Sequence, residues 1–433
     1  MAANPITIQT PGAADRPRLA MALLATLFFV WGLVTALNDI LIPHLKSIFD
    51  LNHTEVMLVK FSYFSAYFIF SLPAAELMAW IGYKRAMVAA LLTVGLGALL
   101  FIPAAAVPAF PLFLAALVVL GAGITALQVA GNLYVTAIGP ETTASSRLNL
   151  TQAFKSLGTT IAPYFGSLFI LTAAPKNMDE VRRMSAQALE AYRLQEASSV
   201  KLPYLGLGLT LIALGIVVAA SRLPAISGPK QRGANYSLKS KDSVWHHHHL
   251  VLGALAIFLY VGAEVGIGSF LVLYFTEPSI GNIPANVAAR YVSVYWGGAM
   301  VGRFIGSGIL RRVRTGTLLG IAALAAFSLV VTSMLTTGQV AMWSILLVGF
   351  FNSIMFASIF ALGVAGLGPL TADASGVLVM AIVGGAVIPL IGGFLADRMG
   401  VRSAFILPSI CYLYVLFYAF KGSKPSRALN THP

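Results

Sequence analysis

Only 15 of the 433 residues are acidic, and Asp39 and Glu264 are among the few that stand inside long apolar runs. Asp39 lies in GLVTALNDILIPHL (residues 32–45), beside Asn38 and four residues after Thr35, and Glu264 lies among glycines in YVGAEVGIGSF (260–270). A carboxylate held at membrane depth costs from about 3 kcal/mol upward, so it is a candidate functional group by default. Thr35 and Asp39 share a helix face. With Asn38 they can take up a proton or offer oxygen ligands to sodium. Asp39 is also only four residues before Pro43, and reads alternatively as an interfacial acid bonded to a helix end. Glu264 reads equally as a second ion site or as a structural acid paired with Lys155 or a backbone donor.

Amides form the second group. Gln128 and Asn132 are four apart in GAGITALQVAGNLYV (121–135), and Asn149, Gln152, Lys155 or Ser156, and Thr159 line one stripe of RLNLTQAFKSLGTT (147–160). Gly121, Gly123 and Gly131 allow another helix or a ligand close. Each sugar hydroxyl both donates and accepts, as Asn and Gln do, so amides converging from several helices suit a sugar. Trp31, Tyr63, Tyr67, Tyr295 and Trp296 could cover its C–H faces. The bland alternative is helix-to-helix bonding at about 0.6 kcal/mol per amide. The second half of the chain is less polar, with Asn352–Ser353 in FFNSIMF as its amide candidate.

These groups must be held by elements that live in lipid. Charged residues make up 10% of the chain and hydrophobic ones 58%, against about 25% charged in soluble domains. The net charge of +13 is spread over short loops and tails. It fits positive-inside topology and not a nucleic-acid surface, which would need a dense basic tract. The single Cys411 excludes an intrachain disulfide and a cysteine-rich metal or iron–sulfur site. The run from about Leu19 is too long for a signal-peptide core and reads as a retained span.

A spanning helix needs about 20 apolar residues. Runs of that kind predict twelve spans, at 19–43, 56–80, 85–107, 110–138, 148–173, 203–223, 248–275, 289–310, 316–335, 339–367, 374–395 and 402–421. Basic residues near 84–85, 147, 222–241, 311–314, 398–402 and 421–427 are read as cytoplasmic, with both termini on that side. The outer segment 174–202 mixes both charge signs. The polar stretch 224–246 divides an N-terminal bundle (19–223) from a C-terminal one (247–421), leaving cytoplasmic tails at 1–18 and 422–433. Two six-helix halves around a midplane site is a transporter arrangement.

GGFLADRMGVR (392–402) supplies a loop motif, with Gly393, Asp397, Arg398, Gly400 and Arg402 as a conformational latch. WIGYKRA (80–86) and GRFIGSGILRRVRTG (302–316) look like its degraded counterparts. The run of four histidines at 246–249 points four ways on a helix and reads as an interfacial flank before a metal site. No nucleophile–base pair or cofactor motif is found at membrane depth, so no metal, cofactor or enzymatic activity is expected.

The chain resembles the major facilitator superfamily, and within it the fucose and glucose/galactose symporters. The residues that carry this are FFVWGLVTALNDILIPHLK, LQVAGNLYV, GPETTASSRLNLTQAFKSLGTTIAP and GFFNSIMF. The resemblance implies sugar uptake coupled to an ion by alternating access of two bundles, in a fold that usually acts alone. It assigns Asp39 to proton coupling. Gln128 stands where the fucose symporters have Glu, which favours the glucose/galactose group, while Asn132 and Gln152 keep matching cavity positions. Lys155 replaces the usual Asn, and Asn132–Leu133 the usual Asn-Pro. N-acetylated amino sugars, fucose and fructose remain open as substrates, sodium as the ion, and passive facilitation or drug antiport as other activities of the fold.

Overall fold

The computed structural model describes residues 16–49, 53–107, 109–169, 183–221 and 243–424, without the side chains of 16–18, 37–49, 53–62 and 163–169 and of positions 186, 196, 197, 199, 285, 286, 289 and 369. Most of the expected linker, and the side chains of Asn38 and Asp39, therefore lie outside the described residues. No strand occurs among those described. The helices of the first half are α1 (Arg16–Phe49), α2 (His53–Ile81), α3 (Tyr83–Ala106), α4 (Phe110–Ala137), α5 (Ala144–Phe169), α6 (Ala186–Ser199) and α7 (Lys201–Ala220). Those of the second are α8 (His248–Thr276), α9 (Ala285–Ile309), α10 (Thr315–Leu335), α11 (Gly338–Asn352), α12 (Met355–Val364), α13 (Thr371–Met380), α14 (Gly384–Met399) and α15 (Ile406–Phe417).

Ten helical stretches among the described residues are long and apolar enough to cross a membrane. Their patterning shows why they bundle. In α1 the large buried residues among those described are Leu24, Leu27, Phe28, Trp31 and Val34, the three-and-four spacing of one helix face. The outward faces are apolar as well, with Trp80, Leu209, Leu324 and Phe394 all exposed. In water such a surface would be an aggregation liability; against lipid it is matched. The mixed-charge segment 174–202 contains a helix, α6, capped where Ser185 Oγ accepts from Ala188 N at 3.3 Å.

Within the first half α1 packs on α5, and α3 on α4 and α7. The α1–α5 approach is set by glycine: a Cβ on Gly32 would strike the Lys155 carbonyl, and one on Gly158 would strike that of Phe29. In the second half α8 packs on α9, α14 and α15. The two halves meet along α5–α9 and α2–α13. Ser145 and Thr315 hydroxyls lie 2.9 Å apart, Ser146 donates to the Ser307 carbonyl at 2.6 Å, and Asn149 Nδ2 donates to the Arg303 carbonyl at 2.8 Å. Ser375 on α13 adds a bond to the Val129 carbonyl at 3.0 Å.

Two expected spans are broken. The run 339–367 divides into α11 and α12 at 353–354, and 374–395 divides into α13 and α14 around a 3-10 turn at Ala381–Val383. A helix interruption at this depth leaves carbonyls without an in-helix donor and is tolerated where it borders a cavity. Tyr260 Oη donates to the Asn352 carbonyl at 3.1 Å and repairs the first break.

The latch expectation is corrected. The turn after α14 lies at the opposite end of the molecule from WIGYKRA and the 311–314 turn. Arg402 Nη2 donates to the carbonyl of Thr336 at 3.1 Å, and Thr336 is separated from the 311–314 turn by the whole of α10. At the other end Lys84 Nζ donates to the carbonyls of Ala219 and Ser221 at 2.8 and 2.7 Å. Parity is the reason: the 398–402 turn follows an odd number of crossings and the other two an even number. Its residues act locally. Arg398 lies over the Phe394 ring at 4.0 Å, Gly400 takes φ +86° at the helix end, and Asp397 is exposed. Arginines 398 and 402 therefore do not belong with the basic set of Lys84, Arg147 and Arg311–Arg314, whose side we call the basic end.

Candidate functional site

A cavity of about 110 Å³ lies where the halves meet. Its walls come from α2, α4, α5, α8, α9 and the two broken helices. Ligand sites commonly run to about 300–1,000 Å³, so this one must widen to load a substrate of ordinary size.

The first-half wall is made by two amides, a tyrosine and a lysine. Gln128 and Gln152 both reach the cavity. Gln152 Nε2 donates to Asn132 Oδ1 at 3.4 Å, while Asn132 itself is fully buried behind it with Nδ2 unpartnered. Asn132 therefore orients Gln152, and its free donor is available to a rearranged network. Asn149, expected on the same polar stripe, instead ties α5 to α9. Lys155 Nζ sits 4.1 Å above the Trp31 ring centroid, held there by the glycine-mediated approach of α1 and α5. Such a cation–π contact contributes up to about 2 kcal/mol when desolvated. Thr35 donates back to the Trp31 carbonyl at 3.0 Å, so its proton is spent on its own helix. Tyr67 reaches the cavity with its hydroxyl 3.3 Å from that of Tyr63.

The second-half wall is charged. Glu264 pairs with Arg303, Nη2 to Oε1 at 3.5 Å, with side chains 11% and 16% exposed. Of the partners considered for Glu264 from sequence, neither Lys155 nor a backbone donor takes the carboxylate; Arg303 does. Arg303 was legible as a cation inside an apolar run, but its neighbours Arg311, Arg312 and Arg314 draw it into a loop motif. Its other arm, Nη1, donates to Ser156 Oγ on α5, so this one side chain touches both halves.

Asn352 stands one residue from the lining, since Ser353 reaches the cavity and Asn352 is fully buried. Its Nδ2 donates to Tyr295 Oη at 2.9 Å, and Tyr295 in turn donates to the Glu264 carbonyl at 3.3 Å. Asn352 thus supports the charged wall from behind. Trp296 is 37% exposed and lies against Gly268. No cluster of potential metal-ligating side chains occurs among the described residues. The histidine run is used structurally: Ser243 and His246 cap a turn, and His249 Nε2 lies 3.1 Å from the Ala365 carbonyl.

This geometry has close counterparts. Residues 22–382 match the Major Facilitator Superfamily. A glucose/galactose transporter of Brucella abortus is 48% identical over 421 residues, covering 97% of this chain and 98% of its own. An L-fucose-proton symporter of Escherichia coli is 33% identical over 408 residues, with 93% and 92% covered. Among solved structures, the E. coli fucose:proton symporter in a variant form superposes with a TM-score of 0.85 at 32% identity, covering 93% of this chain and 98% of that one. The same transporter in the outward conformation gives 0.84 at 31%, with equal coverage. A helical molecule of this kind, apolar outside and polar at its centre, is a multi-pass membrane protein. The chain belongs to the Major Facilitator Superfamily, on the branch that contains the glucose/galactose transporters and the L-fucose-proton symporters.

Proposed function

We propose that this protein imports a hexose of the glucose or galactose type by alternating access coupled to protons. The observation that carries the reading is the amide wall of Gln128 and Gln152, backed by Asn132, facing a buried ion pair across a cavity between two helical halves. Amides match the paired donor–acceptor character of sugar hydroxyls, and Tyr67 offers an aromatic face. The strong likeness to a glucose/galactose transporter supports the substrate class, and the likeness to proton symporters supports the ion.

In this reading twelve spans form bundles at 19–223 and 247–421, joined by the linker at 224–246. The basic end and both termini are cytoplasmic under the positive-inside rule, and the protein works as a monomer in the inner membrane. Asp39, with Asn38 beside it, and Glu264 are the ion-responsive carboxylates. A site that is charged and empty resists occlusion, whereas a neutral, loaded one tolerates it, and that differential stability is the coupling. With α5–α9 and α2–α13 closed at the basic end, the present arrangement faces the other side.

One observation favours a second substrate. Lys155 has no hydrogen-bond acceptor among the described residues, and the acyl carbonyl of an N-acetylated amino sugar would supply one. Proteoliposome uptake of labelled glucose, galactose, fucose, fructose and N-acetylglucosamine, under imposed proton or sodium gradients, tests both readings. Proton-driven accumulation of glucose or galactose is expected. Accumulation driven only by sodium would replace the ion, uptake without any gradient dependence would make the protein a facilitator, and efflux of apolar cations in place of sugar uptake would make it an antiporter.

A further inference from the structure

Arg303 holds Glu264 on α8 with one nitrogen and Ser156 on α5 with the other. Its own backbone carbonyl accepts from Asn149, also on α5, at 2.8 Å. Below it towards the basic end come the Phe154–Phe304 ring contact, the Ser146–Ser307 bond and the Ser145–Thr315 bond. Opening that end requires α5 to leave α9, so the Arg303–Ser156 contact must break.

We propose that Arg303 is a positioning residue that makes closure of the basic end depend on the charge of Glu264. While Glu264 is ionised, the pair fixes the guanidinium with its second arm aimed at Ser156. A planar fork can hold two acceptors at once in a way that a lysine ammonium cannot. When Glu264 takes a proton, the cation loses its counter-charge inside a site of low dielectric. A cation in that position gains from water, and water reaches it from the basic end when α5 separates from α9. Neutralising Glu264 therefore favours opening at the basic end.

The groups facing Glu264 allow this role to fall on Arg303. They are Arg303 and Tyr295 from α9, Lys155 from α5, Tyr260 one turn earlier on α8, and Tyr412 from α15. The tyrosines are neutral at working pH, and Lys155 is occupied over Trp31, so Arg303 is the cation whose partner changes. The inference rests on the alternating-access reading, but its test is an equilibrium measurement without sugar or gradient.

Spin labels on Arg85→Cys and Arg311→Cys, both exposed at the basic end of different halves, report the separation of the two halves, and native Cys411 is buried away from the label. In the full-length protein in nanodiscs, a short distance should dominate at neutral pH. Acidification should raise the long-distance population, and Glu264→Gln should raise it roughly tenfold at neutral pH, within the usual range of conformational coupling. Ser156→Ala and Arg303→Lys should raise it at every pH. An unchanged distribution in Glu264→Gln overturns the proposal, and so does a full acid response that survives in that variant. An unchanged distribution in Ser156→Ala, the mildest substitution, removes Arg303 as the route. If sugar uptake fails while these shifts appear, the functional reading falls and the role of Arg303 in closing the basic end stands.

Discussion

The two walls of the cavity are built from different chemistry. The first-half wall presents amides and a lysine parked on an indole ring; the second-half wall presents an acid and an arginine braced by Tyr295 and Asn352. Amides hold the same hydrogen-bonding capacity across physiological pH, so they can recognise a polyol without responding to protons. A carboxylate–guanidinium pair can respond, because one proton changes its net charge. In the proposed reading, the described cavity lining puts the amides for recognition on one side and the Glu264 pair, which responds to protons, on the other, and Arg303 crosses between them.

Substitutions can break this division. The largest effect is expected from Arg303→Ala, which leaves Glu264 buried and unpaired. Removing one partner of a buried pair costs about 3–5 kcal/mol, so thermal stability in detergent should fall markedly and gradient-driven accumulation should be lost. A variant that keeps full accumulation would remove the charged wall from the mechanism. Next comes Gly158→Val. Overpacking typically costs about 1–3 kcal/mol, and pushing α1 from α5 should also unseat Lys155 from Trp31; a lowered melting temperature with altered tryptophan fluorescence is the readout.

Gln152→Ala removes a neutral hydrogen bond worth about 1–1.5 kcal/mol. It should weaken sugar binding roughly tenfold in equilibrium binding while leaving the pH dependence of uptake in place. A changed pH profile with unchanged affinity would invert the assignment of the walls. The smallest effect is expected from Arg398→Ala, which loses a surface cation–π contact of about 0.5–1 kcal/mol. Transport rates should stay close to those of the unaltered protein, whereas a strong loss would restore the 392–402 turn as a latch.

The membrane class and the helical bundle were legible because lipid imposes one rule, long apolar runs, that leaves a clear trace in composition. The amide wall was legible for the same reason, since polar residues four apart on apolar helices stand out. Arg303 was harder to place: a local string of arginines resembles a loop, and only the packing of α5 against α9 reveals depth. The break at 381–383 left no hydropathy signal, because Ala381, Ile382 and Val383 are as apolar as a continuous span, while the one at 353–354 falls at Asn352–Ser353, a polar pair that reads equally as a ligand group. Whether Asn149 faces a ligand or a neighbouring helix depends on the second half, which no local pattern specifies. The loop motif at 392–402 misled because glycine, aspartate and arginine suit any helix end, while counting crossings settles which end it is.

The interruptions at 353–354 and 381–383 also have a mechanical consequence. Each of these crossings is two short beams joined at mid-depth, with compliance concentrated at the joint. Deformation of the cavity can therefore be absorbed at its own wall, without tilting either helix along its full length. Amide hydrogens beside the two joints should exchange with solvent faster than those nearer the ends of the same helices, which is the reverse of the end-fraying order of an unbroken helix.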